Sequence, residues 1–180
     1  MRYDFYRPAA RVRLRGCLDA QGRIDAWQAT SAGQSIVAQV MPRSFGMNAM
    51  GPDKTTVEGA FDQPYDIPNL QVTHQAVDLP VPVGFWRAVG HSYTAFFNEC
   101  FIDELATVAQ ADPLAFRIAH LQKQPRHLKV LRFAAEKADW AGRPCGWCAA
   151  GRRSREIRRC RVPNPRPCGN RAVHRPSPTR

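Results

Sequence analysis

The side chains that most often perform catalysis or bind metals are scattered along this 180-residue chain. No two histidines are spaced to form the zinc-binding face of one helix; the five are His74, His91, His120, His127 and His174. Asp103 and Glu104 are adjacent, so a helix would point them about 100° apart and they would not act as an acid–base pair. The chain also lacks a Gly-x-Ser-x-Gly elbow, a Walker loop and a dinucleotide-binding fingerprint. Spacing alone therefore assigns no catalytic residue and no metal ligand.

The last 40 residues carry cysteines and arginines that could bind a metal or nucleic acid. Four of the six cysteines lie there, namely Cys145, Cys148, Cys160 and Cys168. The first two form a C-x-x-C pair, but the other two do not repeat it, and the spacing fits no standard zinc ribbon. The same segment has 11 arginines and one acidic residue, Glu156. Because guanidinium groups neutralise phosphates, a small basic protein that binds nucleic acid nonspecifically through this tail is the alternative function.

The body and the tail differ in composition. Residues 1–140 hold 15 Lys and Arg against 14 Asp and Glu, so the formal charge of +11 and the pI near 10.1 come from the tail. The tail is rich in residues with GC-rich codons, which is the composition expected when a GC-rich gene is read in the wrong frame. We therefore expect a domain over residues 1–144, followed by a frameshifted and disordered tail over 145–180.

The elements that must position any site begin with strands. Residues 11–18 alternate apolar and polar side chains, which predicts a half-buried strand, and residues 23–29 are expected to pair with it as a hairpin. We expect residues 35–40 to continue the sheet and residues 41–70, rich in Pro and Gly, to form loops. A short alternation over 70–77 then precedes a proline-rich loop or edge strand that ends at Gly84.

Helices are predicted in the second half of the body. Apolar residues between Ser92 and Gln110 share one arc of a helical wheel, which indicates an amphipathic helix. Asp112 followed by Pro113 predicts a second helix as far as about Leu121, because this pair is typical of a helix start. A third helix is expected from Pro125 to about residue 137. Strands followed by helices indicate the α+β fold class, with a strand hairpin and amphipathic helices.

The chain contains no segment typical of membrane insertion or export. No run reaches the roughly 18 to 20 apolar residues that a membrane span needs, so no membrane partner is expected. The N-terminus lacks the apolar core of a secretory signal, which makes a cytoplasmic location the default expectation. The body has two cysteines, Cys17 and Cys100, too few for a disulfide framework.

Several short motifs occur one after another along the first 144 residues. They are DFYRP at 4–8, TVEGA at 56–60, PYDIPN at 64–69, PVGFWRAVGHS at 82–92, FIDELA at 101–106 and DPLAFR at 112–117. Together they resemble the molybdopterin-binding large subunit of the aldehyde oxidase and xanthine dehydrogenase superfamily. Within it, the branch that contains the isoquinoline 1-oxidoreductase beta subunit is the most similar. The resemblance runs unbroken from about residue 2 to about residue 144.

The resemblance implies an oxidoreductase that depends on a molybdenum–pterin cofactor. Enzymes of this family hydroxylate an electron-poor carbon of an N-heteroaromatic ring or an aldehyde, using oxygen derived from water. Electrons then leave through iron–sulfur clusters, which in this branch lie on a separate small subunit. The implied partners are therefore that iron–sulfur subunit and an N-heteroaromatic or aldehyde substrate.

The resemblance also implies a cofactor-binding loop between Phe85 and His91. By position, Trp86, Arg87 and Gly90 are the expected cofactor-binding residues, and Val89 is expected in the substrate pocket. A guanidinium suits anionic oxo and phosphate groups, and glycine permits close approach of the backbone. Two positions depart from the family pattern, because Ala88 stands where many members have glycine and Val89 where they have an aromatic residue.

The resemblance covers only part of the family subunit. The other Gly-rich cofactor loops and the late glutamate that serves the family as general base have no counterpart here. We therefore expect the chain to be a fragment that starts inside a larger domain. Because a cofactor site needs several converging segments, the isolated chain is expected to be inactive and not to retain the cofactor.

Overall fold

The protein is described by a computed structural model that covers residues 5–140 and 156–159. Within these residues a sheet and four α-helices form an α+β fold, as the sequence predicts. The strands are β1 (Ala10–Leu18), β2 (Ile24–Gly33), β3 (Asn69–Ala76) and β4 (Glu156–Arg159). The helices are α1 (Ile36–Phe45), α2 (His91–Ala109), α3 (Pro113–His120) and α4 (Pro125–Lys137), with a short 3₁₀ helix at Lys54–Thr56.

The sheet has the strand order β3-β2-β1-β4. Strands β1 and β2 form the expected antiparallel hairpin, with Leu14 opposite Ala29. The Asp19 carboxylate closes its turn by accepting the backbone N–H groups of Gln21 and Arg23 at 2.9 and 2.8 Å. Strand β3 then pairs in parallel with β2, and β4 pairs in parallel with β1.

One segment differs from its sequence prediction. Residues 36–45 form helix α1, whereas residues 35–40 were expected to extend the sheet. Ser35 caps the helix, because its hydroxyl accepts the Ala38 N–H at 3.0 Å, and Ile36 and Val40 are buried one turn apart. The helix continues past Pro42 to Phe45, into the segment expected to be loop. The short run that contains Ile36, Val37 and Val40 fits a strand as well as a helix, and the Ser35 cap favours the helix.

Strand β4 lies within the segment expected to be disordered. Its residues Glu156–Arg159 pair with Arg15–Leu18 along the open edge of β1, whose backbone groups can accept another strand. The remaining residues of the predicted tail, including its cysteines and most of its arginines, lie outside the described residues. The proposed zinc and nucleic-acid interpretations of the tail therefore have no structural counterpart in the part of the chain that is described.

The main core lies between the hairpin and helix α2. Trp27 and Phe101 meet edge to face with ring centroids 4.7 Å apart, and both are at most 1% exposed. Gly16 allows this approach, because a Cβ atom there would lie 3.0 Å from the Leu105 side chain. The other buried apolar residues of this cluster are Leu14, Leu18, Ile24, Ala29, Ile102, Leu105, Ala106 and Phe116.

Helices α2 and α3 match their predictions closely, and so does α4. Asp112 caps α3 by accepting the Ala115 N–H at 2.8 Å, with Pro113 at the first helical position. Helix α4 contains no buried residue. None of the described helices combines the length and the apolar character of a membrane span.

Candidate functional site

The loop from Pro82 to Gly90 is the segment in which the sequence predicts a binding site. It enters from a single parallel bridge between Tyr6 and Val83 and leads directly into helix α2. Val83 is fully buried in a small apolar cluster with Ile36 and Val40. This anchor fixes the start of the loop, so the residues that follow are held at the surface between α1 and α2.

Trp86 lies at the surface with its indole held on two sides. Its Nε1–H donates to the Phe5 carbonyl at 2.7 Å, and the Arg7 guanidinium carbon lies 4.9 Å from the ring centroid. The side chain remains 42% exposed. A cation over an indole face is a favourable contact, and the hydrogen bond fixes the rotation of the ring. One part of Trp86 is therefore oriented by the N-terminal segment, and the rest is free to meet a ligand.

The backbone after Trp86 makes a tight turn with unusual dihedral angles. The Val89 N–H donates to the Trp86 carbonyl at 3.0 Å, and φ is +69° at Ala88 and +39° at Val89. Side chains disfavour positive φ, and a β-branched residue there is a marked outlier. The Ser92 hydroxyl secures the turn by donating to the Val89 carbonyl at 2.7 Å. Ala88 thus adopts the glycine-like conformation of the position where the resembling family carries glycine, which is the type of local strain found at binding loops.

Gly90 is buried where the loop joins α2, and its own chain occupies the space beside it. A Cβ atom at Gly90 would overlap the Thr55 carbonyl oxygen and lie 3.0 Å from the Glu58 Cβ. The structure thus shows a close approach of Gly90 to the segment around the 3₁₀ helix, whereas the predicted approach of Gly90 to a cofactor stays a prediction. Gly90 fixes the position of the loop on the rest of the fold.

Arg87 and Val89 differ in their surroundings. Arg87 is exposed, and none of the described carboxylates forms an ion pair with it. Val89 is partly buried and packs against the cluster of Ile36, Val40 and Val83. The structure thus keeps Trp86, Arg87, Val89 and Gly90 in one turn.

The donor set of this loop fits an anionic, oxygen-rich cofactor such as a molybdenum–pterin group. Arg87 offers an exposed guanidinium that pairs with none of the described carboxylates, and the half-exposed Trp86 offers a flat surface beside it. Together they provide one wall of a site, whereas a cofactor site normally encloses its ligand with several segments. Among residues 5–140 and 156–159 no group of three potential metal ligands occurs.

Sequence reasoning missed a cleft of about 790 Å³ beside α1, which is lined mainly by apolar side chains. Asp53 lines it and accepts hydrogen bonds from the Ser35 hydroxyl and the Val37 N–H, at 2.7 and 3.0 Å. Burial opposes ionisation of Asp53, but its hydrogen bonds with Thr55 and Ser35 hold its pKa below the ordinary value. Asp53 therefore acts as a structural clasp between α1 and the 3₁₀ helix. The turn-like Pro-Asp-Lys-Thr-Thr sequence could have predicted that Asp53 caps the 3₁₀ helix, but not that it contacts Ser35 and Val37.

A second cleft of about 310 Å³ lies at the start of α2. His91 lines it, with its Nε2 4.0 Å from an Asp62 carboxylate oxygen. The helix buries Asn98 and Thr94 against the segment before it, where they donate to the carbonyls of Gly59 and Glu58 at 2.7 and 2.6 Å. These contacts fix the N-terminal part of α2, which directly follows the Trp86 loop.

A family profile described as the molybdopterin cofactor-binding domain matches residues 1–121. The beta subunit of isoquinoline 1-oxidoreductase from Brevundimonas diminuta is 30% identical over 139 residues, which cover 77% of this chain and 18% of the relative. A subunit of nicotinate dehydrogenase from Pseudomonas putida is 35% identical over 77 residues, or 43% of this chain and 6% of the relative.

A membrane-bound aldehyde dehydrogenase from Gluconacetobacter polyoxogenes, whose name specifies pyrroloquinoline quinone, is 29% identical over 159 residues. That match covers 78% of this chain and 20% of the relative. The chain thus spans a fifth or less of the length of these relatives. The matches give no support to the small basic nucleic-acid-binding protein. The profile covers two thirds of the chain and includes the whole Trp86 loop, and the chain therefore belongs to the molybdopterin cofactor-binding domain family of oxidoreductases.

Proposed function

We propose that this chain contributes one wall of the cofactor site in a molybdenum hydroxylase. The observation that carries the proposal is the turn from Trp86 to Gly90. It combines an exposed Arg87, which forms no ion pair with the described carboxylates, with a backbone held at positive φ. Backbone strain of this kind is common at binding loops, and the family match supports a molybdenum–pterin cofactor as the ligand of this turn.

Each residue of the turn has its own part in the proposal. Arg87 would donate hydrogen bonds to anionic oxygens of the cofactor, because a guanidinium keeps its charge and presents several donors. Trp86 would lie against the cofactor with the exposed part of its indole. Gly90 would hold the turn on the 3₁₀ helix, and Val89 would bring the unpacked part of its side chain to the substrate side. When bound, the molybdenum–pterin group supplies redox chemistry for hydroxylation with oxygen derived from water.

The substrate and the partner in this proposal follow from the relatives. Their names specify isoquinoline, nicotinate and aldehyde, so an N-heteroaromatic ring or an aldehyde is the proposed substrate class. Two of them are subunits by name, which supports assembly with further chains. We propose an iron–sulfur subunit as the electron acceptor in that assembly.

The isolated chain is proposed to be inactive. It spans a fifth or less of its relatives, and its one candidate loop leaves most of a cofactor exposed to water. The adjacent reading frames of the gene provide the test. Co-expression with those frames, in a host that makes the cofactor, should yield a complex that hydroxylates isoquinoline or nicotinate with ¹⁸O from labelled water. If the adjacent frames encode no further cofactor-binding segments, the proposal is wrong.

The boundary near residue 144 is proposed to be a shift of reading frame. The composition changes there from a nearly neutral sequence to one with 11 arginines in 40 residues, and the family profile ends before it. The nucleotide sequence tests this directly. Family-like sequence that continues in another frame would support the shift, and its absence would contradict it.

A further inference from the structure

Arg43 links helix α1 to the loop that carries Trp86. Its guanidinium carbon lies 3.6 Å from the centroid of the Phe5 ring, which is the geometry of a stacked cation. Its Nη2 donates to the Val83 carbonyl at 3.1 Å. One side chain therefore contacts both the N-terminal segment and the start of the loop.

Phe5 connects this guanidinium to the indole of Trp86. The Phe5 carbonyl accepts the Trp86 Nε1–H at 2.7 Å, while the Phe5 ring lies under Arg43. Gly84 leaves room for this arrangement, because a Cβ atom there would lie 2.6 Å from the Phe5 Cβ. Two backbone hydrogen bonds of Tyr6, with Pro82 and Gly84, lie alongside at 3.0 and 3.2 Å.

We propose that Arg43 is a positioning residue, which sets the orientation of the Trp86 indole by fixing Phe5 against the loop. The orientation matters for binding in so far as the loop meets the cofactor, which rests on the function proposed above. The contacts that the structure gives Arg43 are with Phe5 and the Val83 carbonyl, so it acts through Phe5 and the loop backbone.

A simpler role for Arg43, as a cation at a helix end, gives a different prediction. Arg43 lies in the last turn of α1, where any cation stabilises the negative end of the helix. A lysine would serve that purpose equally well. A lysine cannot lie flat on the Phe5 ring and also hydrogen-bond Val83 as a guanidinium does, because only the guanidinium is planar. Arg43→Lys therefore separates the two roles.

The test uses ¹⁹F NMR of the full 180-residue chain labelled with 5-fluorotryptophan. Trp86→Phe assigns the Trp86 resonance, and the resonance of buried Trp27 reports that the core is intact. In Arg43→Lys and Arg43→Gln, we expect the Trp86 resonance to move more than any other tryptophan resonance. Arg132→Gln, at an exposed arginine on α4, is the matched control and should leave Trp86 in place.

Phe5→Leu provides an independent variant, because it removes the ring but keeps the carbonyl that accepts the indole N–H. It should move the Trp86 resonance as the Arg43 variants do. The proposal is overturned if Arg43→Lys matches the unmodified chain at Trp86. It is also overturned if the Arg43 and Phe5 variants lose the Trp27 resonance, because the contact would then serve folding. The readout contains no cofactor, so its failure is distinct from a failure of cofactor binding.

Discussion

His120 accepts the backbone N–H of Ile24 at 3.0 Å and so joins helix α3 to the start of strand β2. Its other ring nitrogen lies 2.8 Å from the Phe116 carbonyl. Because Nε2 accepts a hydrogen bond, the proton of the neutral ring is on Nδ1 and is donated to Phe116. The imidazole is 1% exposed, so protein groups satisfy both ring nitrogens in place of water. A second proton on Nε2 would break the link to Ile24.

Acid is expected to destabilise the fold through His120. Burial is the largest cause that lowers its pKa below the ordinary value of 6.5, with a smaller contribution from Arg23, while Phe116, Asp19 and Asp66 oppose it. Below pH 6.5 the imidazole of His120 therefore binds a proton more readily in the unfolded chain than in the folded chain. The contribution of His120 to the free energy of unfolding should be fully present above its ordinary pKa of 6.5 and be lost as the pH falls below that value towards its lowered folded-state pKa. Urea titrations at a series of pH values measure it.

Two variants separate His120 from other groups in that titration. His120→Gln should reduce the slope of stability against pH, whereas His127→Gln, at an exposed position of α4, should keep it. His74 also has a pKa lowered by burial, so a smaller slope should remain in His120→Gln. An unchanged slope in His120→Gln would show that the link to Ile24 is not the pH-sensitive contact.

Ala88→Gly should stabilise the fold. At φ +69° a side chain costs about 1 to 2 kcal/mol, which exceeds the roughly 0.5 to 1 kcal/mol of extra entropy lost by glycine. We expect a gain of about 0.5 to 1 kcal/mol in the free energy of unfolding. The matched control is Ala134→Gly in exposed helix α4, which should cost about 1 kcal/mol. A loss at both positions would mean that the turn is not strained.

Gly90→Ala should destabilise the fold and displace the Trp86 loop. The added methyl group would overlap the Thr55 carbonyl, and overpacking of this kind typically costs about 1 to 3 kcal/mol. Gly90 has φ −62°, so the cost is one of space and not of backbone conformation. Gly46→Ala is the converse control, with φ +67° and no atom within 4 Å, and should cost about 1 kcal/mol. Chemical denaturation compares them, and a Gly90→Ala chain as stable as the unmodified one would contradict the packing.

Arg117 joins α3 to α2, and its loss should be costly. Its Nε lies 2.9 Å from a Glu99 carboxylate oxygen, and its Nη1 pairs with Asp103. The Arg117 side chain is 14% exposed. Removal of one partner from a largely buried pair leaves charge without compensation. Arg117→Met should lower the free energy of unfolding by about 2 kcal/mol, since Glu99 is half exposed and keeps some hydration. Arg132→Met should change it by less than about 0.5 kcal/mol, and equal effects would contradict the network.

Local signals predicted most of the fold. The alternation over residues 11–18, their hairpin with residues 23–29 and the Asp112–Pro113 helix start each have one dominant local interpretation, and the structure follows them. Helix α1 was missed because a run of Ile, Val and Ala fits a strand as well as a helix. The clasp of Asp53 on Ser35, 18 residues away, favours the helix, and no local pattern contains that contact.

The candidate site, like the fold, was predicted in part. The resemblance identified the segment from Trp86 to Gly90, and the structure folds it into one turn with Trp86 and Arg87 at the surface and Gly90 buried. The resemblance could not predict that Gly90 packs on the Thr55 carbonyl, or that Phe5 orients Trp86. Both contacts join residues more than 30 positions apart, so they depend on the tertiary fold. The positive φ at Ala88 could be suspected only from the glycine that the family carries there.

The central claim is that the Trp86 loop binds a molybdenum–pterin cofactor through Arg87. The most direct measurement is the molybdenum and pterin content of the complex formed with the products of the adjacent reading frames, by elemental analysis and pterin fluorescence. We predict molybdenum and pterin in equal amounts, a clear loss of both in Arg87→Ala, and no loss in Arg132→Ala. Cofactor content that is absent, or that Arg87→Ala leaves unchanged, would contradict the account.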